Sequence, residues 1–306
     1  GTSWLDTGAR DWSDDLLACS GLDRAAMPRL VEGSEVSGTL RADLARRWGM
    51  GAVPVAGGGG DNAASAIGMG VVRDGQGFVS LGTSGVLFVA RDGYRPAPET
   101  AVHTFCHALP GTWHQMGVIL AATDALNWFA GLVGADAATL TGGLGPLQAP
   151  GPTLFLPYLG GERTPLNSAA IRGAFLGLAH ATDRDAATRA VLEGVAFALT
   201  DCRDALAATG TRIGSLVAVG GGARSDYWLS AIATALGQPL DVAEDSAVGA
   251  AFGAARLGMM AATGDLSIAT PPRVVRTVAP EAGLADAFAE GHARYRTAAR
   301  SILEIS

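Results

Sequence analysis

The chain has 306 residues, of which 48% are hydrophobic and 17% are charged, so it is long enough for one large domain or two ordinary ones. Its formal net charge of −7 argues against a nucleic-acid-binding protein, because neutralising the phosphates of a nucleic acid requires a basic surface. All 22 basic residues are arginines, and the absence of lysine excludes a P-loop, a Schiff-base lysine and a lysine general base.

Membrane insertion and disulfide bonding are also disfavoured. The longest apolar run, over 119–133, is interrupted by polar residues and falls short of the roughly 18 residues that a membrane span needs. No signal peptide is recognisable. Cys19, Cys106 and Cys202 are odd in number and far apart, so they predict neither a metal site nor a disulfide framework. We therefore expect a cytoplasmic protein that does not enter a membrane.

The first predicted elements lead to a glycine turn with an acidic residue. The run 11–17 is typical of a capped helix start, and 39–48 predicts a second helix. A short apolar strand over 53–56 then runs into four glycines, followed by Asp61 and a helix of small residues over 63–72. A strand, a glycine turn, a carboxylate and a helix in this order form a compact unit typical of a binding or catalytic site.

The middle of the chain predicts paired strands followed by a helix. Strands over 78–81 and 86–90 flank the sequence Gly-Thr-Ser-Gly at 82–85, which predicts a hairpin whose turn uses glycine backbone angles. Two more strands are predicted over 103–109 and 113–118. A long helix over 119–134 and a loop-rich stretch to residue 152 follow.

The last part of the chain alternates between strands and helices. The predicted elements are a strand entering an irregular loop over 153–165, a helix over 184–209, a buried strand over 216–219 ending in a glycine turn at 220–223, a helix over 225–236, a strand over 239–243, a helix over 247–257 and a C-terminal helix over 281–302. This alternation favours an α/β fold with a mostly parallel sheet.

Three glycine-rich turns follow apolar strands, at 57–61, 82–85 and 220–223. Ligands of open α/β sheets bind beyond the carboxyl ends of the strands, so three such turns indicate a polyphosphate ligand. For each turn taken alone, a tight turn without a ligand is the favoured explanation. A dinucleotide-binding dehydrogenase is disfavoured, because none of the turns has the spacing G-x-G-x-x-G with a later acidic residue.

In combination these motifs resemble those of FGGY carbohydrate kinases, and most closely the xylulose kinase members. The segments that carry the resemblance, in the order seen in the family, are GGGDNA (58–63), LGTSG (81–85), PYLGGERTP (157–165), RGAFLGL (172–178), LEGVAFAL (192–199), GGGARSDYW (220–228) and GAAFGAA (249–255). The resemblance covers nearly the whole chain.

The resemblance implies an actin-like ATPase fold of the ribonuclease H-like type: an α/β domain with a mixed sheet and helices on both faces. It implies that 1–74 is the end of a first, sugar-binding domain and that 75–306 is the second, nucleotide-binding domain with a C-terminal helix. ATP and Mg²⁺ are the implied cofactors and D-xylulose the implied sugar, with no nucleic acid and no membrane among the partners. Homodimers are common in the family, so the resemblance also implies a homodimer as a candidate assembly.

Asp61 matches the family's catalytic aspartate. Transfer of a phosphoryl group from ATP to an alcohol requires a base that accepts the hydroxyl proton, and a carboxylate in a glycine turn is suited to that task and to contact with the sugar. The alternative is that Asp61 only caps the helix that starts at Asn62 or Ala63.

Two further turns match nucleotide-binding positions. The resemblance implies that Gly82, Thr83 and Ser84 contact the β- and γ-phosphates, although a bare hairpin turn would also explain the glycines. It implies that the turn at 220–223 contacts adenosine and the α-phosphate. The residues concerned are Gly221, Gly222 and Ala223, with Asp226 lining the pocket and Gly161 at the adenine side. A strand-to-helix turn capped by Ser225 or Asp226 is the alternative.

Other polar residues are explained more simply. Glu162 and Arg163 form an adjacent charged pair that either ties its loop to the sheet or contacts substrate, and we favour the structural role. His103 and His107 are four residues apart on a predicted strand, too distant for easy zinc chelation.

The first phosphate hairpin of actin-like kinases, with the pattern Asp-x-Gly-Thr, is not found before Asp61. We therefore expect the chain to be the C-terminal portion of a longer kinase of the xylulose kinase type. Another sugar or polyol kinase and a catalytically inert nucleotide-binding module are the alternatives.

Overall fold

The computed structural model describes residues 3–244 and 249–305. The strands are β1 (Leu5–Asp6), β2 (Asp11–Trp12), β3 (Val36–Thr39), β4 (Pro54–Ala56), β5 (Gln76–Leu81), β6 (Gly85–Arg91), β7 (His103–Cys106), β8 (Trp113–Ile119), β9 (Leu154–Leu156), β10 (Ala174–Leu176), β11 (Ser215–Val219), β12 (Leu240–Ala243) and β13 (Val274–Val278). The helices are α1 (Asp14–Cys19), α2 (Ala42–Trp48), α3 (Asp61–Gly68), α4 (Thr123–Leu132), α5 (Ala137–Gly142), α6 (Arg184–Ala208), α7 (Asp226–Leu236), α8 (Gly249–Thr263) and α9 (Ala285–Ile305).

The central sheet has seven strands in the order β13-β12-β11-β5-β6-β8-β7. Two strand pairs of this sheet, β5–β11 and β11–β12, are parallel. The other four pairs are antiparallel. The expectation of a mostly parallel sheet is therefore wrong. Short connections join β5 to β6 and β7 to β8, and such connections force antiparallel pairing, whereas crossovers through helices give the parallel pairs. The mixed sheet implied by the resemblance is confirmed.

Alternate residues of the central strands belong to two different cores. Val79 and Leu81 of β5 pack with α4, α6, α7 and α9 on one face of the sheet, where the large core lies. Phe78 of β5 and Phe88 of β6 face the other side and pack with Ala66 of α3. Both faces of these strands are covered, which explains why their sequences are apolar throughout.

Glycines bring α3 and α8 into close contact. A Cβ on Gly253 would lie 1.7 Å from the carbonyl oxygen of Ala64, and a Cβ on Gly68 would lie 2.1 Å from that of Gly249. The two backbones therefore touch where any side chain would force them apart. The predicted helix over 247–257 begins partly outside the described residues, and the described part continues to Thr263.

The segment before α3 contains only small elements. β1 pairs with β2 and β3 with β4, both antiparallel. The predicted cap of α1 is confirmed, since Ser13 accepts a hydrogen bond from the backbone N–H of Leu16. The predicted strand over 53–56 exists as β4, but Val55 is 45% exposed.

Several boundaries differ from the predictions. The predicted helix over 119–134 begins only at Thr123, because β8 continues through Ile119. The predicted loop to residue 152 contains α5, and the edge strand β13 has no predicted counterpart. None of the helices in residues 3–244 and 249–305 has both the length and the hydropathy that a bilayer crossing requires.

Candidate functional site

A tight turn follows the central strand β11. Gly220 has a φ of 90°, and a Cβ there would lie 2.7 Å from the carbonyl oxygen of Leu81 at the end of β5. Only glycine allows both this backbone angle and this approach. The chain then forms a 3-10 turn over Gly221–Arg224 and enters α7, where Ser225 accepts a hydrogen bond from the backbone N–H of Trp228. The predicted strand, turn and helix are confirmed here, with Ser225 as the cap.

The hairpin turn between β5 and β6 is held by the start of α4. The carbonyl oxygen of Gly82 accepts hydrogen bonds from the Thr123 backbone N–H (2.9 Å) and hydroxyl (2.7 Å). The carbonyl oxygen of Thr83 accepts hydrogen bonds from the N–H groups of Ala122 (2.8 Å) and Asp124 (3.3 Å). These four bonds fix the position of the turn against the helix.

Thr123 also borders the turn after β11. A Cβ on Gly222 would lie 2.8 Å from the Leu81 Cβ and 3.2 Å from the Thr123 Cγ2. The two glycine turns, far apart in the sequence, are therefore neighbours at one end of the sheet. The prediction that they serve one ligand requires this proximity.

A cleft of about 670 Å³ opens beside these turns, between α4 and α5 on one side and the start of α7 on the other. This volume lies within the range of roughly 300–1,000 Å³ for small-molecule sites. We call it the α4–α7 cleft. Its lining residues are Thr123, Leu126, Asn127, Ala137, Ala138, Thr141, Gly142, Gly145, Gly221, Gly222, Arg224, Ser225, Asp226, Tyr227 and Trp228.

Three of the predicted nucleotide residues line this cleft: Gly221, Gly222 and Asp226. The Asp226 carboxylate forms an ion pair of 2.6 Å with Arg276 of β13. Ala223 is buried in the core behind the turn, with 7% of its surface exposed. In the hairpin turn, Thr83 is exposed and Gly82 and Ser84 are partly buried.

The cleft lining does not include the other predicted site residues, which are Gly82, Thr83, Ser84, Ala223, Asp61 and Gly161. Gly161 is buried with a φ of 89°, and a Cβ there would lie 2.9 Å from the Ser168 carbonyl oxygen. The conformation of its own loop is therefore sufficient to require a glycine at this position. A nucleotide contact by Gly161 stays a prediction.

Asp61 is exposed and is the first residue of α3. One oxygen, Oδ1, accepts hydrogen bonds from the backbone N–H of Asn62 (2.8 Å) and from its side-chain amide (3.3 Å). The N-cap position is Gly60, which makes no side-chain bond to the helix. A capping carboxylate instead accepts from an N–H two or three residues on. The helix therefore begins one residue earlier than the capping alternative requires, and the carboxylate is not the cap.

A second, smaller cleft of about 380 Å³ lies beside the turn that precedes Asp61. Gly58, Gly59 and Gly60 line it, together with the ion pair between Arg10 and Glu32. The glycine turn is thus open on one side, as the approach of a small polar ligand would require.

Glu162 ties its loop to the sheet. Its Oε1 accepts hydrogen bonds from the backbone N–H groups of Leu120 (2.9 Å) and Arg163 (2.7 Å), just beyond the end of β8. The side chain is 3% exposed, and burial raises the pKa of its carboxyl to about 7. The favoured structural role agrees with these contacts.

Of the histidines around β7 and β8, His107 and His114 are buried in the core, whereas His103 is partly exposed. His107 is buried, with Nε2 bonded to the Val71 carbonyl oxygen and Nδ1 accepting from the Ala108 N–H. Burial lowers its pKa to about 4, so the ring is neutral and both nitrogens are occupied. Within residues 3–244 and 249–305, the group with metal-ligand spacing is Asp201, Asp204 and His292, between α6 and α9.

Comparison with known proteins identifies the family. Residues 77–262 match the C-terminal domain of the FGGY family of carbohydrate kinases, and residues 1–68 match its N-terminal domain. The chain belongs to the FGGY family of carbohydrate kinases. The predicted domain boundary between residues 74 and 75 falls in the gap between the two matched ranges.

Individual relatives of this FGGY chain are xylulose kinases. It is 47% identical over 270 residues to the xylulose kinase of Escherichia coli (strain K12), which covers 88% of this chain and 56% of that protein. It is 46% identical over 263 residues to that of Klebsiella pneumoniae, with 85% and 54% covered. The chain therefore spans little more than half the length of these curated relatives.

Solved structures confirm the fold. A crystal structure described as a xyloylose kinase from Brucella ovis superposes with a TM-score of 0.97 at 59% identity, covering all of this chain and 64% of that one. Xylulose kinase from Rhodospirillum rubrum gives a TM-score of 0.88 at 25% identity, with 99% and 62% covered. The FGGY sugar-kinase fold implied by the motifs is thus shown.

The sequence motifs did not reveal the wall of the cleft opposite the glycine turns. Thr123 and Asn127 of α4 and Gly142 at the end of α5 line it, yet all three lie in stretches read as a plain helix or a loop. Asp136, which caps α5 by accepting from the Thr139 N–H, is the sequence signal that could have located this helix.

Proposed function

We propose that this FGGY chain provides the nucleotide-binding half and the catalytic carboxylate of an ATP-dependent sugar kinase. The reaction is the phosphorylation of D-xylulose to D-xylulose 5-phosphate, and the functional unit is a longer protein that contains this chain. A cytoplasmic location, a homodimer and the boundary between residues 74 and 75 stay predictions.

The observation that carries the proposal is the meeting of two glycine turns at Thr123. The hydroxyl of this residue donates to Gly82 in one turn, and its methyl group borders Gly222 in the other. A polyphosphate needs donors from both turns within one ligand's length, and backbone N–H groups in glycine turns bind phosphate without a lysine. The relatives named as xylulose kinases support the choice of sugar.

In this proposal each turn has one task. The N–H groups and hydroxyls of Gly82, Thr83 and Ser84 hold the β- and γ-phosphates. The turn that contains Gly221 and Gly222 holds the α-phosphate and adenosine, and Asp226 lines the nucleotide pocket. The sugar's terminal hydroxyl oxygen forms a bond to the γ-phosphorus while the bond from that phosphorus to the bridging β-γ oxygen breaks, and ADP leaves.

Asp61 takes the proton that the attacking hydroxyl releases. The structure supports this role in two ways: the carboxylate is exposed, and its Oδ2 makes no hydrogen bond to the described residues. The bond from Asn62 to Oδ1 orients the carboxylate and leaves the other oxygen available. Such general-base assistance contributes about 10²- to 10⁴-fold to a rate.

Magnesium enters this scheme with ATP. The described residues with metal-ligand spacing, Asp201, Asp204 and His292, lie among arginines: Arg203 contacts Asp204 at 2.7 Å and Arg296 contacts Asp201 at 3.6 Å. These cations oppose a further positive charge, so this cluster does not fit a magnesium site. The ion neutralises phosphate charge when it is bound to the nucleotide.

The test measures ADP release by the full-length protein with D-xylulose, other ketoses and polyols. We expect release that depends on xylulose, and a loss of about 10²- to 10⁴-fold in kcat for Asp61→Asn, which retains an acceptor for the Asn62 N–H. Asp15→Asn, at an exposed aspartate of α1, is the matched control and should leave kcat unchanged.

Two results would overturn parts of the proposal. Turnover with another sugar alone would exclude xylulose as the substrate while retaining a kinase. ATP binding without turnover on any sugar would favour the inert nucleotide-binding module.

A further inference from the structure

One arginine on the wall of the α4–α7 cleft has no partner in the described structure. Arg224 ends the 3-10 turn after Gly221 and Gly222 and lines the cleft. Its side chain forms no ion pair and no hydrogen bond with residues 3–244 or 249–305. The other charged residue of the lining, Asp226, already pairs with Arg276. Among the described lining residues, Arg224 is therefore the one cation, and its charge is not balanced there.

Two less exposed arginines of the chain have structural roles. Arg10 binds the carboxylate of Glu32 and the carbonyl oxygen of Thr112. Arg256 is buried and donates to several carbonyl oxygens, among them those of Ile67 and Thr270. Arg224 is exposed at the cleft and supports no other element in this way.

A cation in the cleft would strengthen the binding of a phosphorylated ligand, because it adds a charged donor to the neutral ones. The glycine turn and the first turn of α7 offer neutral N–H donors, and the chain contains no lysine. Asp226 beside them is acidic and repels phosphate. A guanidinium group binds phosphate through two parallel N–H bonds and stays charged at every physiological pH.

We propose that Arg224 binds a phosphate group of the nucleoside di- or triphosphate in the α4–α7 cleft. Its place at the end of the turn puts it next to the N–H donors of Gly221 and Gly222, so that the guanidinium and the turn engage the same anion. This inference rests on the proposed function, because it requires a nucleotide in this cleft. It makes Arg224 a determinant of affinity for phosphorylated ligands.

A guanidinium group can also stack on a purine ring, which would give Arg224 a different task. The two tasks are distinguishable through the ligand. A phosphate contact contributes to the binding of ADP and not to that of adenosine, whereas stacking contributes to both.

The experiment is calorimetric titration of the full-length protein with ADP and, separately, with adenosine. For Arg224→Met we expect the Kd of ADP to rise by about tenfold or more and the Kd of adenosine to stay within about twofold. Arg224→Lys should recover part of the ADP affinity, because it restores the charge without the two-pronged geometry.

Arg212→Met is the matched control. Arg212 is exposed and precedes β11, whereas Arg224 follows it, so it lies at the opposite end of the same strand. This variant should bind ADP as the wild type does. The melting temperatures of all variants should agree, which separates a binding effect from a folding effect.

The outcomes separate this inference from the proposed function. Wild-type ADP affinity in Arg224→Met, or an equal loss for ADP and adenosine, would overturn the phosphate contact alone. A wild-type protein that binds neither ligand would overturn the nucleotide site itself.

Discussion

The segment 3–60 and the region around the seven-stranded sheet differ in what holds them together. In the first segment the buried hydrophobic side chains of the described residues are Leu17 and Ala45, and its sheets have two strands each. The sheet region has a continuous core that includes Trp228 and Phe197. Each region contains a helix with a side-chain cap, Ser13 on α1 and Ser225 on α7. Local signals therefore determine where elements form, whereas burial depends on which other elements cover them.

The first segment is attached to the sheet region by polar contacts. Arg10 donates to the Thr112 carbonyl oxygen at 2.7 Å, and the indole N–H of Trp113 donates to the Thr7 carbonyl oxygen at 2.9 Å. The Arg10 guanidinium also lies over the Trp113 ring. Such contacts fix orientation but contribute less to stability than the apolar core does.

The largest effect should come from truncating the core of the sheet region. Trp228 is fully buried and its indole N–H donates to the Leu192 carbonyl oxygen of α6. We expect Trp228→Ala to lower the free energy of unfolding by about 4 kcal/mol, through the cavity and the loss of the indole hydrogen bond. Trp48→Ala removes an indole that is 57% exposed in the first segment and should cost about 0.5 kcal/mol. Urea denaturation compares the two, and equal losses would remove the distinction between the regions.

The next effect tests the junction between α3 and α8. Gly253→Ala places a methyl group against the Ala64 carbonyl oxygen, where the ideal position leaves only 1.7 Å. We expect a loss of about 3 kcal/mol as the helices separate. Gly258→Ala, in the same helix but with open space around it, should gain about 0.5–1 kcal/mol. Opposite shifts in melting temperature are the expected result; shifts of the same sign would mean that the close contact does not hold the junction.

A smaller effect concerns a buried acid of the sheet region. Burial raises the pKa of Glu193 from 4.5 to about 8, despite nearby Arg189 and Arg294. The unfolded chain releases this proton first as pH rises, so the protein loses stability between about pH 4.5 and pH 8. Glu193→Gln should reduce that loss, whereas Glu290→Gln, at an exposed position of α9, should not. Urea midpoints at about pH 5 and pH 8 provide the measurement, and parallel pH profiles for all three proteins would contradict the prediction.

The smallest effect concerns an exposed acid of the first segment, and its pH dependence has the opposite sign. A hydrogen bond from the Trp12 N–H and the Arg24 guanidinium lower the pKa of Asp11 below 3.8. The stabilisation is therefore present above that pH and is lost as pH falls. Arg24→Met removes the ion pairs with Asp11 and Asp14, so its melting temperature should fall slightly at neutral pH and approach that of the wild type as pH falls below 3.8. A deficit that is unchanged at low pH would point to lost packing instead.

Much of this fold could be predicted because its signals are local. The hairpin over 78–90 and the strand, turn and helix over 215–236 depend on residues close in sequence. These residues are the glycines of the two turns and the helix cap Ser225. The motifs then identified the family and grouped Gly221, Gly222 and Asp226 as nucleotide-binding residues. In the structure these three residues line one cleft.

The remaining features depend on contacts between distant segments. Strand direction in the sheet is decided by which strands pair, and the apolar sequence of β8 is compatible with either direction and with a helix. β13 is an exposed edge strand, with Val275 50% exposed, so it lacks the burial pattern that would predict it. Thr123 and Asn127 reach the cleft only because the hairpin turn fixes the start of α4, a contact over about 40 residues that no local pattern reveals.

The bonds between α4 and the hairpin turn also determine which chemical groups the turn can recognise. Each carbonyl oxygen has two lone pairs, and those of Gly82 and Thr83 each accept two hydrogen bonds from residues 122–124. Both oxygens are thus saturated by the protein itself. A ligand that reaches these two residues meets N–H groups and the Thr83 hydroxyl, so groups that only accept hydrogen bonds are favoured over amines, before any charge is considered.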